Sequence, residues 1–259
     1  MAKGIAVLMY HELELPGRPL CQSDPGYRRY VVPAAQFESQ LRHLKSVGYL
    51  GTSIGKLPEG IETKQFALTF DDGCATDLGS AAPILKTLGF NATFYVTVGF
   101  LGKAGYMTEA QVRELGEAGF EIGCHSLTHP YLTDLDSAGL HREIVEAKDR
   151  LERIVGHAIE HYSCPGGRWN YRVVAKVKEA GYLSLATSHP RLYSSNSDAF
   201  SIGRTAILRN MSVSQLEAIC EGRGLLRLAL TQQVRSAAQR LVGNRLYDGL
   251  RSALLSRSE

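Results

Sequence analysis

The chain has 259 residues, 44% hydrophobic and 21% charged, which fits a soluble globular protein long enough for one large core. A formal net charge of +3 is too small to argue for nucleic acid as a partner. No apolar run of about 18 residues offers a membrane span, and "MAKGIAVLMYHEL" lacks the small-residue cleavage site of a secretory leader.

The charge is unevenly placed. From Gly222 to Glu259, Arg223, Arg227, Arg235, Arg240, Arg245, Arg251 and Arg257 face only Asp248 and Glu259, a local +5, which leaves −2 for the rest of the chain. Cysteines 21, 74, 124, 164 and 220 are odd in number and have no close-spaced framework, so a disulfide scaffold is not expected. The expected compartment is the cytoplasm, extending to the inner face of the membrane.

Taken in order, "IAVLMY" (5–10) reads as a buried strand. "PAAQFESQLRHLKSVGY" (33–49) reads as a helix with Phe37, Leu41, Leu44 and Val47 on one face and a stop at Gly48. A strand follows at 66–70, a helix over 76–88, a strand at 91–98 and a helix starting near Thr108. Then come a strand at 120–124, a helix over 136–155, a strand at 160–163, a helix over 170–180, and strands at 182–187 and 201–208. Strands alternating with helices imply parallel βαβ units. Seven or eight strands over residues 1–212 predict a deformed (β/α)7–8 barrel, with an open doubly wound sheet as the alternative. In either fold, chemistry belongs on the loops after the strand C-termini. Tyr10-His11, Asp71-Asp72, His125 and Ser163-Cys164 all fall at such ends.

Residues 213–259 lie outside the alternation, with Leu226, Leu230, Val234, Ala237 and Leu241 at helical spacing. They predict an arginine-rich helical extension, either packed on the barrel exterior or offering a basic face for peripheral contact with an acidic membrane.

"LTFDDG" (68–73) ends an apolar strand in two adjacent carboxylates. An Asp-Gly turn or a helix cap accounts for one aspartate and less well for both. In "CHSLTHP", His125 and His129 are four residues apart, a spacing at which two imidazoles can face one ion. Ser126 follows His125, so the segment is not a zincin helix. A carboxylate from the Asp doublet would complete two histidines and one acid, leaving its neighbour to take a proton. Cys74, Cys124 and Cys164 sit beside these motifs, but strand alternation points Cys124 to the other face, and free cysteines commonly fill small buried positions.

"TFDDG" followed by "HSLTH", with "NATFYV" between them, resembles the polysaccharide deacetylases, the NodB-type carbohydrate esterase family 4, over residues 1–210. The resemblance implies Asp71 as general base, with Asp72, His125 and His129 holding a divalent metal, usually Zn2+, with Co2+ or Ni2+ as substitutes. "YSCPGGRWN" is similar to the family's third motif, keeping Pro165 and Gly167 and placing the oxyanion-binding N–H at Gly166. Ser163 stands where the family has an arginine against the base, and Arg168 is the expected replacement. The family's catalytic acid comes from a late Leu-x-x-His, yet no histidine follows His189. "VLMYHEL" has that form at the chain start, as in the circularly permuted exopolysaccharide-type members, which assigns the acid to His11. Glu12 and Asp198 are the candidates for the acid-orienting fourth-motif residue. Trp169 could stack on a sugar.

The implied reaction is hydrolysis of an N-acetylated amino sugar in a glycan, polysaccharide or glycolipid precursor, releasing acetate. A non-catalytic carbohydrate-binding relative is the second reading. An iron oxygenase with two histidines and a carboxylate is the third.

Overall fold

The computed structural model describes residues 4–57 and 64–231. Eight parallel strands form the main sheet: β1 (Ala6–Tyr10), β2 (Leu50–Thr52), β3 (Gln65–Asp72), β4 (Thr93–Val96), β5 (Glu121–Cys124), β6 (His161–Ser163), β7 (Ser184–Ala186) and β8 (Thr205–Ala206). The order is β8-β1-β3-β4-β5-β6-β7, with β2 beside the first half of β3. A parallel bridge between Ala186 and Ile202 joins β7 to the segment entering β8, so the ring closes as a barrel. The expected barrel is therefore present.

Helices α1 (Ala34–Ser46), α2 (Ala82–Leu88), α3 (Glu109–Glu117), α4 (Ser137–Val155) and α5 (Tyr171–Glu179) cover the outside. Thr108 caps α3 with a reciprocal capping box to Gln111, and Asn170 caps α5. α2 is entered through a π-helical turn at Asp77–Ala81, and α4 contains another at Arg142–Glu146. α6 (Val213–Cys220) buries Leu216, Ile219 and Cys220, and its Glu217 meets His43 of α1 at 2.8 Å. Residues 225–231 are helical, with Leu226 and Leu230 exposed. The rest of the predicted extension, 232–259, lies outside the described residues. None of the described helices is long and apolar enough to cross a membrane.

Strand alternation sorts the interior into two layers. Leu8, Tyr10, Leu68, Phe70, Phe94, Ile122, Cys124 and Tyr162 belong to the large core beneath the helices. Within it Phe70 stacks on Phe94 and Tyr10, at centroid distances of 4.8 and 5.4 Å, and meets Phe37 of α1 edge-on. Val7, Ala67, Tyr95, Ala186 and Ile202 fill the barrel itself. Tyr95 fits there because position 123 is glycine; a Cβ on Gly123 would collide with the Tyr95 ring. Polar groups close the lower end, where Glu121 accepts from Thr93, Ser53 and the Gly55 N–H.

Parallel register delivers the functional residues to one level. Tyr10 pairs with Phe70, so the next residues, His11 and Asp71, stand side by side. Asp72 pairs with Val96 and Val96 with Cys124, which places His125 at the same height. Cys124 pairs with Tyr162, which brings Ser163 level with His125.

Phe70→Ala should leave a cavity in the aromatic stack and cost about 3–5 kcal/mol, read as a lower urea midpoint at unchanged m-value.

Candidate metal and catalytic site

Asp71, 2% exposed, points into the barrel mouth and is gripped by Arg204. The guanidinium donates from Nη1 to Oδ1 at 2.7 Å and from Nη2 to Oδ2 at 2.8 Å, the bidentate geometry that makes such pairs strong. Arg204 is itself 0% exposed. Its remaining donors go to Ser163 Oγ (2.7 Å), Thr69 Oγ1 (3.2 Å) and the Thr187 carbonyl (3.2 Å). Burial alone would raise the Asp71 carboxyl, but Arg204, with His125 and His11, holds it well below the usual carboxylate range.

The arginine that meets Asp71 is thus Arg204, not Arg168, whose guanidinium lies 3.5 Å over the Tyr131 ring. This corrects the expectation drawn from the third motif. Ser163 stands where the family has an arginine, and its hydroxyl receives one of the hydrogen bonds from Arg204, which comes from the segment just before β8. A signal was present in "SIGRTAIL": a charged residue inside a buried strand requires a partner of opposite charge.

Asp72, His125 and His129 come together as the motifs suggest. Their ligand atoms lie within 4.8 Å of one another, with His129 Nε2 at 3.4 Å and His125 Nε2 at 3.7 Å from Asp72 Oδ1. A tetrahedral ion about 2.0–2.1 Å from nitrogen and oxygen requires N···O edges of about 3.3–3.4 Å. Asp72 Oδ1 is buried without a hydrogen-bond partner, an orphan atom that a cation would satisfy. The Ser163 carbonyl binds His125 Nδ1 at 2.9 Å, which turns Nε2 towards Asp72. Burial pushes His125 down to about 4, against the pull of Asp71, so its ring is neutral and able to ligate near pH 7. The residues present fit a divalent metal.

The backbone is bent to make this arrangement. Among the described residues, the non-glycine positions with left-handed φ are Asp72 (82°), Ser126 (71°) and His129 (66°). Such conformations cost about 1–3 kcal/mol each and persist where surrounding contacts impose them. Glu143, fully buried at the π-helical turn of α4, accepts from the Leu127 and Thr128 N–H groups and from Thr128 Oγ1 at 2.7–3.0 Å. Val98 and Gly99 N–H donate to the Ser126 and Leu127 carbonyls, and Ser126 Oγ receives the His129 N–H. Sequence reading missed Glu143 because nothing local links a mid-helix glutamate to a loop 15 residues upstream.

His11 stands beside Asp71 by register, close enough to be among the groups that lower it. Its Nδ1 is buried without a partner. Neither candidate for the acid-orienting carboxylate binds His11. Glu12 turns to the Cys21 N–H and Tyr27 hydroxyl, and Asp198 caps the Phe200 N–H. Pro165, Gly166 and Gly167 form a tight turn directly after β6, with φ of 61° at Gly166 and 66° at Gly167. A side chain at Gly166 would strike Tyr131, so only glycine lets the backbone turn here. Trp169, next along this loop, is 42% exposed.

Residues 60–185 match the family model described as polysaccharide deacetylase. YxkH of Bacillus subtilis (strain 168), a protein whose name assigns it provisionally to the polysaccharide deacetylases, is 26% identical over 84% of this chain and 76% of its own length. A peptidoglycan-N-acetylglucosamine deacetylase of Bacillus cereus is 31% identical over 48% of this chain and 57% of its own length. Among solved structures, the Streptococcus pyogenes deacetylase PplD in complex with acetate superposes with a TM-score of 0.74 at 26% identity, covering 84% of this chain and 98% of that one. Family model, relatives and fold agree with the Asp71-Asp72 and His125-His129 motifs: residues 60–185 match the polysaccharide deacetylase family, and the chain as a whole resembles its NodB-type barrels.

Proposed function

We propose that the protein is a divalent-metal-dependent hydrolase that removes the acetyl group from an N-acetylated amino sugar in a glycan, polysaccharide or glycolipid precursor. The observation that carries this reading is one ionised carboxylate, Asp71, whose Oδ2 lies 3.8 Å from Nε2 of His125 in the adjoining donor set. A base beside a metal-ligand triad suits hydrolysis and has no place in oxygenase chemistry.

Asp72, His125 and His129 would hold the ion, with zinc favoured by the donors and cobalt or nickel as substitutes; when bound it supplies Lewis-acid polarisation and lowers the pKa of a coordinated water. Asp71 takes the proton of the attacking water. Arg204 keeps Asp71 ionised and fixes both of its oxygens, so the carboxylate is aimed without substrate present. The Gly166 N–H donates to the oxyanion that develops on the acetamide, a contact worth roughly 3 kcal/mol. His11, protonated, passes a proton to the sugar nitrogen as the C–N bond breaks, because an amide anion is too poor a leaving group. Pro165 shapes the oxyanion turn, and the exposed face of Trp169 offers a stacking surface for a sugar ring. Arg168, packed on Tyr131, borders the same loop. Acetate release from N-acetylated oligosaccharides, lost with chelator and restored by zinc, tests the whole reading; release that ignores chelator would defeat it.

Four variants separate the roles. Asp72→Ala and His125→Ala should each lose bound metal and activity together, measured by elemental analysis beside acetate release. His11→Ala should retain metal and fold while turnover falls about 10²–10⁴-fold, the usual share of general acid catalysis. Arg204→Lys cannot make two parallel bonds, so the burial of Asp71 is less well opposed and its pKa rises. The acid limb of kcat/KM against pH should therefore move to higher pH; an unmoved limb removes Asp71 as the base or Arg204 as its partner.

A further inference from the structure

A second cluster of metal-ligating side chains shares none of the catalytic donors and has no part in the proposed reaction. Glu12 follows His11, Cys74 lies two residues past Asp72, and Cys21 comes from the excursion between β1 and α1. Their ligand atoms fall within 4.8 Å of one another, with Glu12 and Cys74 buried. Cys21 Sγ is 3.5 Å from Cys74 Sγ and 3.4 Å from Glu12 Oε1. A tetrahedral ion with bonds of about 2.3 Å to sulfur and about 2.0 Å to oxygen sets edges of about 3.8 Å between sulfurs and about 3.5 Å between sulfur and oxygen. The side chains already stand close to that spacing.

Hydrogen bonding alone accounts for the cluster poorly. Cys21 Sγ lies within contact of Glu12 Oε1, Cys74 Sγ and the Gly105 carbonyl (3.1 Å), yet a thiol has one weak proton to give. The Gly105 carbonyl already accepts from the Ala75 N–H and from Arg18 Nη2. Glu12 has a ligand's usual support: Oε2 accepts from the Cys21 N–H at 2.9 Å and the Tyr27 hydroxyl at 3.1 Å, leaving Oε1 towards the sulfurs with Arg18 at 3.4 Å. An independent sign comes from Asp77 at the start of the π-helical turn. It is 0% exposed, and neither carboxylate oxygen has a hydrogen-bond partner. Its N–H is bonded to the Cys74 carbonyl, and burial pushes its carboxyl well above the usual carboxylate range. A buried acid whose two oxygens find no hydrogen-bond partner, next to these thiols, leaves polar atoms that a bound cation would satisfy.

We propose that Glu12, Cys21 and Cys74 form a second metal site, distinct from Asp72, His125 and His129, which takes one zinc-class ion and clamps the 11–31 excursion to the barrel behind His11. On binding, the two thiols lose their protons to solvent and ligate as thiolates; the fourth position falls to water. The role is structural: the ion ties together the segments that follow the proposed acid and the proposed base. This inference does not rest on the catalytic reading.

The test uses full-length protein, purified under reducing conditions and loaded with zinc or cobalt. Wild type should hold two equivalents of zinc, and His125→Ala/His129→Ala should keep one. The cobalt form of both should show the near-ultraviolet thiolate-to-cobalt charge-transfer band, a signal the histidine and carboxylate donors cannot produce. Cys21→Ser, at a half-buried position, should abolish the band and remove one equivalent; Glu12→Gln should weaken it. Absence of the band in wild type, a band that survives Cys21→Ser, or a Cys21–Cys74 disulfide in place of metal by intact mass would each overturn the proposal. Loss of the histidine-dependent equivalent alone would count against the catalytic reading and leave this one standing.

Discussion

The organising interaction is the buried ion pair between Asp71 and Arg204. A carboxylate with 2% exposure, placed among barrel-lining side chains, would protonate unless a counter-charge accompanied it. Arg204 supplies that charge, and its own burial is tolerable because every arm of the guanidinium finds an acceptor: Asp71 and Thr69 on β3, Ser163 on β6, and the carbonyl of Thr187 just past β7. These bonds also tie the two sides of the barrel together where the ring closes between Ala186 and Ile202. One pair thus fixes the mouth of the barrel, the ionisation of its central acid and the direction in which that acid points.

The same pair explains the aspartate doublet. Adjacent strand residues face opposite ways, so one of two neighbouring aspartates ought to lie under the helices. Asp71 takes the interior and is neutralised by Arg204. Asp72 adopts φ of 82°, leaves the strand alternation and turns its Oδ1 towards His125 and His129. The two carboxylates are adjacent in sequence but turn to different partners, Asp71 to Arg204 and Asp72 to the two imidazoles, which keeps them apart. Holding Asp72, Ser126 and His129 in left-handed conformations requires a rigid frame, and Glu143 on α4 provides it by accepting three hydrogen bonds from the histidine loop. Both π-helical turns, at Asp77–Ala81 and Arg142–Glu146, occur where a helix must present an acid towards this end of the barrel.

The order of strands and helices and the two short motifs were legible in the chain, although several boundaries moved: the strand read at 91–98 is Thr93–Val96 and that at 201–208 is Thr205–Ala206. The predicted strand at 5–10 is Ala6–Tyr10, the helix at 136–155 is Ser137–Val155, and Thr108 begins α3 as its capping box demands. Periodicity read these well because each buries one face against one partner layer. It did not register Leu50–Thr52, three residues with a central glycine, too short to show any period. His11 was placed correctly at a strand end next to the doublet, since the parallel register leaves it no other place.

What the sequence determined by itself was whatever depends on neighbours along the chain: the alternation that gives a parallel barrel, the strand-end location of every candidate residue, and the four-residue spacing of His125 and His129. The tertiary structure alone decided which arginine meets Asp71, because Arg204 lies 133 residues away and reaches it only through barrel closure. It likewise decided that Glu12, Cys21 and Cys74 converge. Local pattern reports which face a side chain takes, whereas charge pairing and metal ligation depend on distance in space, which is set only once the ring has closed.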